Sequence, residues 1–223
     1  MIIKTFIEPP IDNNNYLIID EETREAALID CSSSEIWDKV PYTEGKVSSS
    51  TVGENREEIE NVKLKYILLT HGHFDHIGGI KPQACIPLNE QPKIYMHKAD
   101  LEWVNNVNTY MPMMGLPEIT VPKIDVFVED GDIINLGNLE IRVIHTPGHT
   151  EGGVCYYVEN SLFSGDTLFK EAVGRCDLKG GDFNKITDSI ENKLYKLPDE
   201  TIVYPGHGRK TTIGWEKEHN LFL

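Results

Sequence analysis

Leu69-Thr70-His71-Gly72-His73-Phe74-Asp75-His76 packs three histidines and an aspartate into six residues, directly after the apolar run Tyr66-Ile67-Leu68-Leu69. Imidazole with carboxylate is the ligand chemistry of zinc or iron. His71 and His73 are two apart, so on extended chain they point the same way. Asp75 continues that phase and His76 breaks it. The break marks a turn into helix and assigns part of the cluster to a second centre.

Three later segments repeat the pattern of a short apolar run ending in a potential ligand. They are His145-Thr146-Pro147-Gly148-His149-Thr150, Ser164-Gly165-Asp166-Thr167 and Pro205-Gly206-His207-Gly208. With the first segment they supply seven donors: His71, His73, Asp75, His76, His149, Asp166 and His207. One metal ion needs three or four protein ligands. Seven suits two ions that share a carboxylate. The expected division gives His71, His73 and His149 to the first ion and Asp75, His76 and His207 to the second, with Asp166 bridging. Glycines beside the ligands permit tight turns and close backbone approach.

Something must deliver these side chains to one place. Period-two apolar runs and turn signals predict strands at 2–7, 16–19, 26–29, 66–69, 93–96, 126–128, 133–136, 139–144, 153–158, 162–164 and 202–204. Pro9-Pro10 and Asp12-Asn13-Asn14-Asn15 read as turn between the first two. Helices are expected through residue 40, at 57–62, from 77, at 97–107, at 183–197 with Asp182 as N-cap, and at 211–220. Residues 41–58 lack periodicity and read as a flexible surface insertion. The order of elements implies two packed sheets with helices outside. His97 is expected to cap or pack, His145 to support the site or pack, and His219 to lie on a helix surface. Asp30 ends a strand near the ligand-rich part, in a supporting or capping role.

The bulk numbers narrow the partners. A chain of 223 residues is long enough for one substantial core. Its net charge of −15 repels phosphate backbones, so no nucleic-acid partner is expected. No apolar stretch reaches membrane-span length, and the first residues lack a signal-peptide core, so no membrane partner is expected. Cys31, Cys85, Cys155 and Cys176 are scattered, which fits a reduced, cytoplasmic setting. The sequence leaves the oligomeric state open.

The four ligand segments, quoted above, resemble the metallo-β-lactamase superfamily. With Thr211-Thr212-Ile213-Gly214-Trp215-Glu216-Lys217 they look like its glyoxalase II branch, the hydroxyacylglutathione hydrolases and their short relatives. The resemblance covers the chain apart from about 41–58. It implies an α+β, four-layer αββα sandwich, here as a single domain over 1–223, with two divalent ions at one sheet edge. Zinc is the first expectation for these ions, and iron or manganese suit the same ligands.

The activity it implies is hydrolysis of a small-molecule thioester, hydroxyacylglutathione or a related acyl-thiol, by a metal-bridging hydroxide. Asp75 would orient that hydroxide and carry its proton. Arg175 matches a basic residue that helps hold glutathione in glyoxalase II. The alternative partner for Arg175 is Asp177, within Gly174-Arg175-Cys176-Asp177. Glyoxalase II also has a C-terminal helical domain with glutathione-binding residues. This sequence ends at Leu223, so the resemblance does not carry those residues over. A second reading in the same superfamily is a mononuclear-iron persulfide dioxygenase, which would need only His71, His149 and Asp166.

Overall fold

The computed structural model describes residues 1–40, 61–81 and 91–223. The expected insertion at 41–58 lies outside them, as does most of the helix expected at 57–62. The described residues build two six-stranded sheets. The first holds β1 (Ile2–Glu8), β2 (Asn13–Ile19), β3 (Glu25–Ile29), β4 (Lys63–Leu68), β5 (Lys93–His97) and β6 (Val126–Val128), in that spatial order. The pairings β1–β2 and β2–β3 are antiparallel, and those from β3 to β6 are parallel. The second sheet adds β7 (Ile133–Leu136), β8 (Leu139–His145), β9 (Val154–Val158) and β10 (Ser161–Gly165). A small hairpin of β11 (Leu168–Phe169) and β12 (Ala172–Val173) follows. β13 (Ile202–Pro205) then pairs parallel with β10, and β14 (Thr211–Thr212) closes the sheet.

The helices among the described residues are short: α1 (Phe74–Ile77), α2 (Leu101–Asn105), α3 (Val107–Tyr110), α4 (Phe183–Asn192) and α5 (Ile213–His219). Three apolar layers explain the stacking. Tyr16, Ile18, Ala27, Ile29 and Leu68 meet Ile141, Val143, Tyr156 and Phe163 between the sheets. Leu17, Ile19, Leu28 and Ile67 point the other way, onto Trp37, Val104 and Val107. Outside the second sheet, Leu162 and Val203 pack on Ile186 and Ile190 of α4 and Ile213 of α5. The arrangement is the αββα sandwich. Each central strand is covered on both faces, so it reads as a continuous apolar run. Among the described residues no helix is long and apolar enough to cross a membrane.

Several boundaries differ from expectation. Asn13, Asn14 and Asn15, expected as turn, are buried residues of β2. Asparagine favours turns when its amide serves local backbone. Here the amides serve distant partners: Asn14 Nδ2 donates to the Pro205 and Gly208 carbonyls, and Ser32 N donates to Asn15 Oδ1. The helix expected from residue 77 instead starts at Phe74 and ends at Ile77. Gly78 then runs against β3's exit, where a Cβ would lie 2.7 Å from the Ser32 carbonyl oxygen.

The helix expected at 183–197 stops at Asn192, and a 3₁₀ turn follows at Leu194–Lys196. Lys193 leaves helical geometry and donates to Asp130 and to the His145 carbonyl. Asp182 is the N-cap, accepting from the Asn184 and Lys185 amides. Thr211 and Thr212, expected as helix, form β14, and Thr212 caps α5. The helix expected at 97–107 divides into a 3₁₀ turn, Lys98–Asp100, and the two short helices α2 and α3.

Candidate metal centre

β8 and β9 are antiparallel, as are β9 and β10, so β8 runs in the same direction as β10 and β13. All three end on one edge, where they release His149, Asp166 and His207. β4 ends beside them, because Val154 N donates to the Thr70 carbonyl across the two sheets at 2.8 Å. His71 and His73 lie in the extended link after β4, and Asp75 and His76 on α1.

The seven donors converge. His73 Nδ1 lies 3.0 Å from His71 Nε2 and 2.9 Å from His149 Nε2. Asp75 Oδ2 lies 3.1 Å from His207 Nε2 and 3.5 Å from His76 Nε2. Asp166 stands between the two groups. Its Oδ1 is 3.4 Å from His76 Nε2, and its Oδ2 is 3.7 Å from both His149 Nε2 and His207 Nε2. Three triads have donor atoms within 4.8 Å of one another: His71/His73/His149, Asp75/His76/His207 and His71/His76/Asp166. Close backbone approach makes this possible. Gly165 turns at φ +49°, and a Cβ there would lie 2.5 Å from Thr70 Oγ1. A Cβ on Gly206 would run into Asp166 Oδ1 and His76 Cε1.

Supporting residues fix which ring nitrogen faces the cluster. His76 Nδ1 donates to Asp30 Oδ2 at 2.7 Å, which leaves Nε2 facing Asp75 and Asp166. Thr70 donates its amide to Asp30 Oδ1 and its hydroxyl to Asp30 Oδ2. That hydroxyl is therefore an acceptor for His71 Nδ1 at 3.1 Å, and His71 Nε2 faces inward. His149 Nδ1 donates to the Arg175 carbonyl at 2.8 Å. Such partners set ring tautomer and raise ligand basicity. Asn13 Nδ2 also lies 2.8 Å from His76 Nε2.

Asp100 is a supporting residue that the sequence did not reveal. Its carboxylate accepts from Gly72 N, Thr150 Oγ1 and Gly152 N, tying the His71/His73 link to the His149 loop. Only its buried position beside two ligand loops could have drawn attention to it. Asp100→Ala strands three donors in a buried place, with an expected loss of about 3 kcal/mol or more. Urea unfolding curves with unchanged m-values would measure it.

The cluster is electrostatically divided. Burial, and then its neighbour His149, pushes His73 down to about 3. Burial followed by His76 holds His71 well below the ordinary range. Burial also opposes charge on His76 and His207, but their carboxylates outweigh it, led by Asp30 for His76 and Asp75 for His207, and both sit above their ordinary value. The same pairings, His76 above all, hold Asp75 and Asp166 low despite burial.

These directions set the pH dependence of the metal-free protein. Below the ordinary histidine value of 6.5, unfolding takes up protons at His71 and His73, so stability falls with pH toward about 3. Above 6.5, His76 and His207 keep protons only in the folded state, so stability falls as pH rises through their raised values. Thermal melts of chelator-treated protein should therefore peak near pH 6.5.

The donor set fits metal. Asp166 Oδ1 is buried without a hydrogen-bond partner, and the inward nitrogens of His71 and His149 crowd within 3.0 Å of that of His73 with little to share but a cation. The other expected residues lie outside it. His97 Nδ1 accepts from Ala99 N, and its ring stacks on His145. His219 stacks on Trp215. Arg175 forms a two-pronged pair with Asp177 at 2.7 and 2.8 Å. Cys31 and Cys155 are buried free thiols, and Cys176 is half-buried.

An αββα sandwich carrying a histidine–aspartate cluster on one edge defines a class of metal-dependent protein. The chain belongs to the metallo-beta-lactamase superfamily, whose family model matches residues 9–207. It is similar to a hydroxyacylglutathione hydrolase, GloC, from Haemophilus influenzae, 36% identical over 179 residues that cover 75% of this chain and 79% of that protein. Among solved structures it is similar to the BLEG-1 B3 metallo-beta-lactamase, at 34% identity and a TM-score of 0.81, covering 100% of this chain and 99% of that one. It is also similar to TTHA1623 in a di-iron-bound form, at 32% identity and a TM-score of 0.78, covering 99% and 100%.

Proposed function

We propose that this chain is a binuclear metal-dependent thioesterase of the glyoxalase II type, acting on hydroxyacylglutathione or a related cytoplasmic acyl-thiol as one domain over residues 1–223. The supporting observation is the pair of three-donor sets with Asp166 between them. Similarity to a hydroxyacylglutathione hydrolase points to the substrate class. His71, His73 and His149 would hold one ion and Asp75, His76 and His207 the other, with Asp166 shared. Zinc heads the list, and similarity to a di-iron protein keeps iron in contention.

Two divalent ions, if held there, would supply a water acidified to near neutrality and polarise an acyl carbonyl. The chain's own residues do the rest. Asp75 is kept ionised by His76 and His207, so its carboxylate can orient the attacking water and take its proton. No protein nucleophile is needed, and burial pushes the Cys155 thiol up to about 11. Arg175 is the candidate contact for a carboxylate on the thiol carrier. Its partner Asp177 is 68% exposed, and an exposed ion pair is worth about 1 kcal/mol or less, so a substrate carboxylate can compete.

The test is a panel of S-lactoylglutathione, an acyl-coenzyme A and an acyl-N-acetylcysteamine, with metal analysis on the same preparation. Nitrocefin, and glutathione persulfide with an oxygen electrode, complete the set. Thioester hydrolysis with about two ions per chain supports the reading. One tightly bound iron with oxygen uptake on the persulfide would replace it by the dioxygenase. Turnover of nitrocefin alone would replace it by a β-lactamase.

A further inference from the structure

We propose that Trp103 is a positioning residue for the metal centre: its indole face receives the Nε2–H of His73, and this contact keeps the His73 Nδ1 lone pair turned toward His71 and His149. The inference rests on the metal reading of the cluster.

The geometry requires a partner at Nε2. Nδ1 faces two other imidazole nitrogens, at 3.0 and 2.9 Å. A neutral imidazole that presents a lone pair at Nδ1 carries its hydrogen at Nε2. That nitrogen is buried, and His73 as a whole is 8% exposed, yet no oxygen, nitrogen or sulfur accepts from it. The other metal-facing rings with a buried second nitrogen have conventional acceptors: Asp30 for His76, the Thr70 hydroxyl for His71, and the Arg175 carbonyl for His149. His73 has an aromatic face instead. The Trp103 ring stands perpendicular to it at 86°, with centroids 4.5 Å apart. That is the near end of the T-shaped range of about 4.5–7 Å, and an N–H directed at an aromatic face is a recognised weak hydrogen bond.

Trp103 is also held where such a contact needs it. α2 follows Asp100, whose carboxylate accepts from Gly72 N at 2.9 Å, one residue before His73. The backbones are so close that a Cβ on Gly72 would lie 3.0 Å from Trp103 Cβ. Tyr110 of α3 backs the indole at 5.3 Å. The strap from Asp100 to Trp103 thus fixes the link's backbone at Gly72 and the ring's tautomer at His73.

The experiment pairs zinc affinity, measured by chelator competition, with long-range ¹⁵N–¹H spectra of the histidine rings. Zinc-loaded wild-type protein should show His73 protonated at Nε2, with that proton shifted upfield by the indole. Trp103→Leu, apolar but without a π face, should lose that shift and bind zinc about 10-fold or more weakly, the usual cost of losing a ligand's outer partner. Trp103→Phe restores a π face and should stay within about threefold of wild type. Zinc binding by Trp103→Leu as tight as wild type overturns the proposal. So does Trp103→Phe as weak as Trp103→Leu, which would mean that bulk alone matters. If Trp103→Leu does not fold, an unshifted His73 Nε2 proton in wild type, or one residing on Nδ1, overturns it, and the upfield signal supports it. A wild-type protein that takes up no zinc or other divalent ion overturns the metal reading itself, whereas the leucine outcomes bear on Trp103 alone.

Discussion

An Asp166→Ala protein should keep its fold, hold fewer than two metal ions per chain and lose thioester hydrolysis by about 10³-fold or more. The size of the effect follows from where the carboxylate stands. Oδ1 lies 3.4 Å from a donor of one triad, and Oδ2 lies 3.7 Å from a donor of each. No other carboxylate among the described residues reaches both triads. Without it, His76 and His207 also lose one of the charges that raise their pKa. The backbone has no reason to move: Gly206 N still donates to the Gly165 carbonyl, and alanine keeps the Cβ. Metal analysis, circular dichroism and S-lactoylglutathione turnover on one preparation check the expectation. Two ions and full activity in Asp166→Ala would end the bridging assignment.

The second large effect is expected at Asp30, which touches no substrate. Its two oxygens receive three hydrogen bonds, from the Thr70 amide, the Thr70 hydroxyl and His76 Nδ1. Asp30→Asn keeps the shape but replaces one oxygen by a donor. Whichever way the amide turns, a donor meets a donor. The arrangement relaxes only if His76 moves its hydrogen to Nε2, into the place a metal would take. Metal affinity should drop about 10- to 100-fold. Asp30→Ala leaves the same three donors unpaired at a buried site and should cost about 3–5 kcal/mol of stability. Isothermal titration with zinc and urea unfolding separate the two effects. Wild-type zinc affinity in Asp30→Asn would show that Asp30 does not set the tautomer of His76.

The seven candidate donors are legible in the sequence because residue type and spacing are themselves the signal. Histidines two apart after an apolar run need no tertiary information, and the structure gathers all seven on one edge. The two sheets were legible for a similar reason: their strands are short apolar runs bounded by Gly, Pro, Asn and Asp. What escaped depends on partners distant in the chain. Asn13 to Asn15 carry turn composition, yet they pair in register with β1, with the Asn14 amide on the carbonyls of Pro205 and Gly208 and Asn15 accepting from the Ser32 amide. Asp100 and Trp103 look like the start of an ordinary helix until Gly72 is laid against them. The helix holding Asp75 and His76 starts three residues earlier than the sequence suggests, because Gly78 and Gly79, packed against the exit of β3, end it where its start is expected.

The grip of β2 on the loop after β13 has a consequence for how the protein comes into being. Asn14 N donates to the Gly206 carbonyl at 2.7 Å, and the Tyr16 hydroxyl donates to the Pro205 carbonyl at 2.6 Å, a contact spanning 189 positions. On the ribosome, the strand that seats His207 is made long before its cargo. A nascent chain carries the first triad once residue 149 has emerged, but the second waits until β13 docks. Assembly of the second triad thus waits on a contact made across the length of the fold, whereas the first triad draws only on residues up to His149.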